Sequence, residues 1–435
     1  MTALRHPSPS PFCFVVCILG LVAGHTTVLP QSNQAPKSST ALERKGEDWP
    51  RFLGPRGDGT SIERGLLKSL PPAAPPLLWS YSLGASFSPP VTSRGRLIIF
   101  HREGMEEVLE CLDSSTGTRI WKQTYPTSYR DRYGYNNGPR SSPTIVGNRV
   151  YAFGAEGKLS CLDFEDGKII WQRWINQDFK VEENFFGVGS APVVDGSMIL
   201  LNVGGSGAGV VAVDRNSGKT IWKTSDQSAS YSTPLVATVN NERLALFFTR
   251  EGLLAVEAAS GREVYRYPFR SRSYESVNAA KPVLVGNHVF LSATYNTGSV
   301  LLKLDPGQPR EIWKSRSAMQ NHWATSIHHQ GNLYGVSGRH ESGADIRCVD
   351  FKTGAVRWKA QPPLGRAGFI LADGYFIAMG ERGDLILIEV DPERYIEKGR
   401  VRLLTYPCWA PPVLSHGLLY LRNETKLLCL DLREP

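Results

Sequence analysis

The chain has no Cys-x-x-Cys pair, no run of lysine or arginine, and no second apolar stretch approaching transmembrane length after its N-terminus. The first absence removes metal- and redox-type cysteine motifs. The second argues against nucleic acid as a partner, because the net charge of +8 is scattered along all 435 residues. The third leaves residues 12–24 as the one long apolar run, too short to span a bilayer comfortably. Arg5 and His6 precede it and Val22-Ala23-Gly24 offers a small residue for cleavage, so residues 1–24 read as a secretory signal, with an uncleaved anchor as the alternative. Bulky Val16 before Cys17 speaks against lipid attachment there. Spacing assembles no Ser-His-Asp set and no pair of carboxylates, so no catalytic residue is assigned. His328-His329 has no partner at metal-ligand spacing, and no metal site is expected.

Turn formers are abundant instead: 42 glycines and 29 prolines, with 10% aromatics, favour an all-β chain. Residues 211–222, "VAVDRNSGKTIW", contain Gly-Lys-Thr, yet a phosphate-cradling loop would need glycine where Val213 stands. The same grammar recurs. An acid is followed eight residues later by an aromatic in Asp113/Trp121, Asp163/Trp171, Asp214/Trp222, Glu257/Tyr265, Asp305/Trp313 and Asp350/Trp358. Glycine falls four after the acid in all of these except Asp305. Successive aromatics lie 43 to 51 residues apart, a period that signals a propeller or solenoid. Each unit carries Ser/Ala and Pro before a β-branched pair, a Gly/Asn/Asp turn, an alternating apolar run, and the acid–glycine hairpin, which makes four antiparallel strands.

Eight units begin near Ser88, Ser141, Ser190, Ser232, Ala279, Trp323, Ala367 and Trp409. The seventh has Asp391 but no aromatic eight later, so seven blades is the alternative. The eighth stops at "CLDLREP", and "LLWSYSL", with Trp79 in the aromatic slot, is available to complete it. The expectation is one eight-bladed β-propeller over residues 77–432, after a leader or linker over 25–76 with a Pro-rich segment. Trp79, Trp121, Trp171, Trp222, Tyr265, Trp313 and Trp358 are expected to dock each blade on the next. Closure removes free sheet edges. Cys111, Cys161, Cys348 and Cys429 share one repeated slot with Ala212 and Ala255, which marks them as core residues rather than disulfide partners.

With these motifs in place the chain resembles the PQQ-like, BamB-like eight-bladed propellers, including the exported group common in planctomycete-like bacteria. "DWPRFLGPRGDGTS" and "NNGPRSSPTIVGNRVYAFGAEGKLSCLD" carry that likeness beside the docking repeat. The resemblance implies a non-catalytic scaffold in the cell envelope, exported to the periplasm or beyond, monomeric and without a cofactor. The dehydrogenases of the wider superfamily imply PQQ with calcium, held by adjacent cysteines plus Glu, Asn and Asp. Adjacent cysteines are missing here.

The long inter-blade loops are the expected binding surface. Their candidates are Arg132, Tyr133, Tyr135, Asn137, Arg140, Arg272, Tyr274, His322 and Trp323, with Arg140 and Trp323 placed near the axis. Arg and aromatics of this kind suit an envelope protein or a glycan, or a carboxylate-bearing peptide or quinone. For each residue the alternative is a side chain that only fixes its loop.

Overall fold

The computed structural model describes residues 46–182, 186–274 and 276–434. The signal segment over 1–24 therefore lies outside the described residues. Among those described, eight four-stranded antiparallel sheets form, as the repeat requires. Blade 1 takes Val91–Ser93, Arg96–Glu103, Glu106–Asp113 and Arg119–Pro126 from axis to rim. Blade 7, which lacks the docking aromatic, is nevertheless a complete sheet built from Ala367–Ala372, Tyr375–Gly380, Asp384–Glu389 and Ile396–Arg402. The seven-bladed alternative is thereby corrected: an alternating run with good turns forms its sheet whether or not its outer strand can dock. In blade 8, Leu77–Ser82 pairs antiparallel with Lys426–Asp431, placing Trp79 opposite Cys429.

That register explains the shared small slot. Cys111 faces Trp121, Cys161 faces Trp171, Ala212 faces Trp222, and Cys348 faces Trp358 across neighbouring strands. Cross-strand partners this close leave room for only a small residue beside an indole. The thiols of Cys111, Cys161, Cys348 and Cys429 are all buried. Burial pushes the Cys111 thiol up to about 12 and that of Cys161 up to about 11, so neither is a thiolate at neutral pH.

The hairpin glycine is required twice over. Gly117, Gly167, Gly218, Gly261 and Gly354 all have φ between 70° and 74°. A Cβ on Gly218 would also lie 2.8 Å from the Trp171 ring of the preceding blade, and one on Gly261 would lie 2.6 Å from Trp222. Each indole N–H donates to a backbone carbonyl of that same hairpin: Trp121 to Phe164 at 3.0 Å, Trp171 to Arg215 at 3.1 Å, Trp222 to Ala258 at 3.0 Å. The exceptions pair up. Tyr265 has no indole, and the hairpin it meets, at Asp305, is the one without glycine at the fourth position; Tyr265 packs with Leu302 and Leu304 instead.

The segment before the first strand is no free linker. Trp49 is 1% exposed and exchanges bonds with Thr92 of blade 1, while Pro50 accepts from Ile145 of blade 2. Gly57 accepts from Lys281 of blade 5 at 2.5 Å, and Gly59 accepts from Leu371 of blade 7 at 2.8 Å. The Glu63 carboxylate takes the amides of His416 and Gly417 in blade 8 at 2.8 and 2.6 Å. By touching innermost strands on opposite sides of the ring, this segment crosses the axis. Farther on, Leu70 donates to Lys398 and packs on Gly399, the position where an aromatic would dock blade 7. The leader thus fills the one joint that lacks its own aromatic.

Candidate binding pocket on the propeller axis

One repeat position builds the pocket. In every blade the residue immediately before the Ser/Ala that opens the innermost segment lines the same axial cavity of about 440 Å³: Phe87, Arg140, Gly189, Tyr231, Ala279, Trp323, Arg366 and Trp409. Strand alternation sets the next layer two residues on, where Pro89, Thr233, Thr325, Gly368 and Pro411 line it as well. Phe52 and Leu53 of the leader form its floor. The inter-blade loops form its mouth.

The ring is lopsided. On one side Phe87 stacks on Trp409 with centroids 4.6 Å apart, and Tyr135 lies 5.8 Å from Trp409 and 6.0 Å from Phe186. Gly189 and Ala279 leave gaps in the wall. On the other side stand His322, Trp323, Tyr295, Arg339 and Arg366.

Two of the three arginines are already neutralised. Arg140 donates to buried Asp131 at 2.7 Å and to the Asn136 carbonyl at 3.0 Å. Arg366 binds fully buried Glu381 at 2.6 Å, and the Trp409 indole donates to the same carboxylate at 3.1 Å. The basic, aromatic surface expected of the loop residues is therefore mainly aromatic at its centre, where two of three guanidinium groups are already paired. The third, Arg339, also lines the pocket; it stacks over Tyr295 at 4.3 Å without an ion-pair partner among the described residues.

Two buried ring nitrogens lack a match: the indole N–H of Trp323 is a donor, and the His322 Nδ1 donates or accepts according to its tautomer. The Trp323 Nε1 and the His322 Nδ1 have no hydrogen-bond partner among the described residues. Burial, reinforced by Arg366 and Arg339, pulls His322 down to about 3, so its ring is neutral across physiological pH. Its Nε2 lies 3.4 Å from the Tyr295 hydroxyl. Leaving such groups unmatched costs roughly 1–3 kcal/mol each, which a polar group bound in the pocket would recover.

Of the nine loop residues expected to bind, Tyr135, Arg140, His322 and Trp323 meet at this pocket. Arg272 lies in a separate groove between blades 4 and 5. Tyr133 packs on Phe186 at 5.3 Å, Tyr274 is 70% exposed under the Arg250 guanidinium, and Arg132 is exposed on the rim. Asn137 accepts from the Asp131 amide at 2.7 Å and so shapes its own loop. Trp409, Phe87, Tyr231 and Arg366 were not anticipated, although reading the Trp323 position across all eight repeats finds them. Trp79, Trp121, Trp171, Trp222, Trp313 and Trp358 each donate an indole hydrogen bond to the following blade.

A quinone–calcium centre does not fit this pocket. No Asp, Glu, Asn or Cys is among the described residues that line it, and calcium needs a shell of oxygen ligands. His101, Glu103 and Glu110 gather within 4.8 Å in blade 1, but Tyr81, Arg119 and Lys122 already surround the Glu110 carboxylate.

A family model described as outer membrane protein assembly factor BamB matches residues 73–184 and 104–360. The BamB of Burkholderia pseudomallei (strain K96243) is 29% identical over 175 residues, covering 40% of this chain and 41% of that protein. The BamB of Yersinia pestis is 29% identical over 143 residues, covering 32% and 34%. These matches thus span well under two thirds of either relative. Among solved structures, BamB from Moraxella catarrhalis superposes with TM-score 0.59 and 15% identity over 83% of this chain and 98% of that one. A europium-containing methanol dehydrogenase superposes with TM-score 0.65 and 12% identity over 88% and 89%. At such identities the two structures share only the fold. With the family model spanning well over half its length, the chain belongs to the BamB-type family of PQQ-like eight-bladed β-propellers.

Proposed function

We propose that this propeller is an exported, non-catalytic binding protein of the cell envelope that holds a partner over its axial pocket. One observation carries the reading. Eight equivalent positions read Phe, Arg, Gly, Tyr, Ala, Trp, Arg and Trp, while the residue after each is always Ser or Ala. A purely structural position would repeat as its neighbour does; this one varies where side chains meet a shared cavity. Tyr135 and Tyr406, each more than half exposed, line the pocket, and exposed Tyr133 packs on Phe186 beside them. Aromatics and arginine in this arrangement are the usual anchors of interfaces. The relatives' name, an assembly factor for outer membrane proteins, supports the same class of role, and the signal reading of residues 1–24 supports export. In crosslinked envelope extract the wild-type chain is expected to retain a discrete partner that the folded Trp323→Ala/Trp409→Ala variant loses. Retention by both, or by neither, would contradict the proposal.

A further inference from the structure

Between the outer parts of blades 4 and 5, on the same loop face, runs a groove of about 760 Å³. Its walls are the loops that follow Glu263–Pro268 and Gln308–Ser315, with the turn at Tyr295–Thr297. Tyr295 lines both this groove and the axial pocket, so one leads into the other. The junction is held in an unusual backbone: Tyr295 and Asn296 both have φ of 60°, a region that bulky residues rarely occupy. Such conformations persist where the surroundings fix them, and they concentrate at binding sites.

The charge in the groove is of one sign. Arg270, Arg272, Lys314 and Arg316 line it, with no carboxylate among its described lining residues. Lys314 has a distant partner in Glu311 at 3.9 Å, whereas Arg270, Arg272 and Arg316 have no ion pair among the described residues. Between the cations stand small hydroxyl and amide side chains, Ser271, Ser273, Asn296, Thr297 and Ser315. The Thr297 Oγ1 is buried without a hydrogen-bond partner. Tyr295 supplies ring surface, buried Phe269 underlies the groove, and no Leu, Ile, Val or Met is among its described lining residues to receive a peptide side chain.

We infer that this groove, continued into the axial pocket, binds an acidic polysaccharide, a chain of sugar rings bearing carboxylates. Guanidinium forks match carboxylates in bidentate geometry. The serine, threonine and asparagine side chains can exchange hydrogen bonds with sugar hydroxyls in either direction. Aromatic faces accept the C–H surface of a sugar ring, and Tyr295 with Trp323 offers such faces where groove and pocket meet. An acidic peptide would satisfy the arginines but would leave the hydroxyl-rich wall and its orphan threonine poorly matched. This inference goes beyond the scaffold role proposed above and stands without it, since the cations that carry it line the groove and none of them lines the axial pocket.

Calorimetric titration of the full chain with hexagalacturonate, its methyl ester and hexaglutamate tests it. Saturable binding of the hexagalacturonate is expected, weakening as salt rises, with affinity at least about tenfold lower for the ester and for the peptide. Arg270→Ala/Arg272→Ala/Arg316→Ala should lose binding by about tenfold or more while its melting curve stays unchanged, as expected for exposed side chains. Equal affinity for hexaglutamate would overturn the inference in favour of an acidic protein. No binding of hexagalacturonate at millimolar concentration, or unchanged binding by the triple variant, would overturn it outright.

Discussion

At the scale of single residues, the joint between blades is an indole laid flat on a glycine. Trp222 is 8% exposed, its N–H bonds Ala258, and its ring leaves no space for a Cβ on Gly261. Trp222→Ala should therefore cost roughly 3–5 kcal/mol, the usual range for emptying a buried aromatic site. Gly261→Ala should cost well over the roughly 1 kcal/mol of a simple positive-φ penalty, because the same methyl meets the ring. Urea unfolding of the two variants measures both. The hairpin acids add a pH dependence. The hydroxyl and amide of Ser217 hold the Asp214 carboxyl below its ordinary value, and Asp113, Asp305 and Asp350 are lowered as well. A carboxyl lowered by folding stabilises above its unfolded value of about 4 and loses that contribution as pH falls through the folded value. The melting temperature should thus be flat near neutrality and fall below about pH 4. Asp214→Asn should be less stable at pH 7 and show a shallower acid decline; an unchanged acid slope would contradict this origin.

At the scale of elements, strands were legible in the sequence and the leader was not. Period-2 apolar runs bounded by Gly, Asn and Asp turns declare themselves locally, as does the acid-to-aromatic spacing that gave the docking register. Even blade 7, with Gly399 where the aromatic belongs, satisfies those local rules. Residues 46–70 obey none of them. They pair through isolated backbone bonds to distant strands and turn at positive φ, as at Gly54 and Gly57, so only the assembled ring reveals their place. The same limit applies to the candidate site. Loop length and composition drew attention to Tyr135, Arg140, His322 and Trp323, but the carboxylates that neutralise two arginines, Asp131 and Glu381, come from chain positions no spacing rule connects. The leader can be tested as a structural element. Leu70 is 8% exposed where it replaces a docking aromatic, so Leu70→Ala should cost about 2–5 kcal/mol. Ile62, in the same segment but 64% exposed, should be neutral to within about 0.5 kcal/mol when changed to alanine. Equal, small effects would mean that the segment is not docked in solution.

At the scale of the whole molecule, closure by Leu77–Ser82 ties the two ends of the ring together in one sheet. Eight blades then bring eight copies of one sequence position to a single cavity, and the leader closes its far end. A rigid ring of this kind holds its loops at fixed separations, which favours recognition of a partner over movement. Site-specific photo-crosslinking in intact envelopes tests this most directly, with a photoreactive side chain placed in turn at Tyr135, on the pocket mouth, and at Ile221, 45% exposed on an outer strand. A discrete adduct from position 135, none from 221, and its loss on Trp323→Ala/Trp409→Ala is the expected result. An adduct from the outer strand with none from the pocket mouth would contradict an axial binding site.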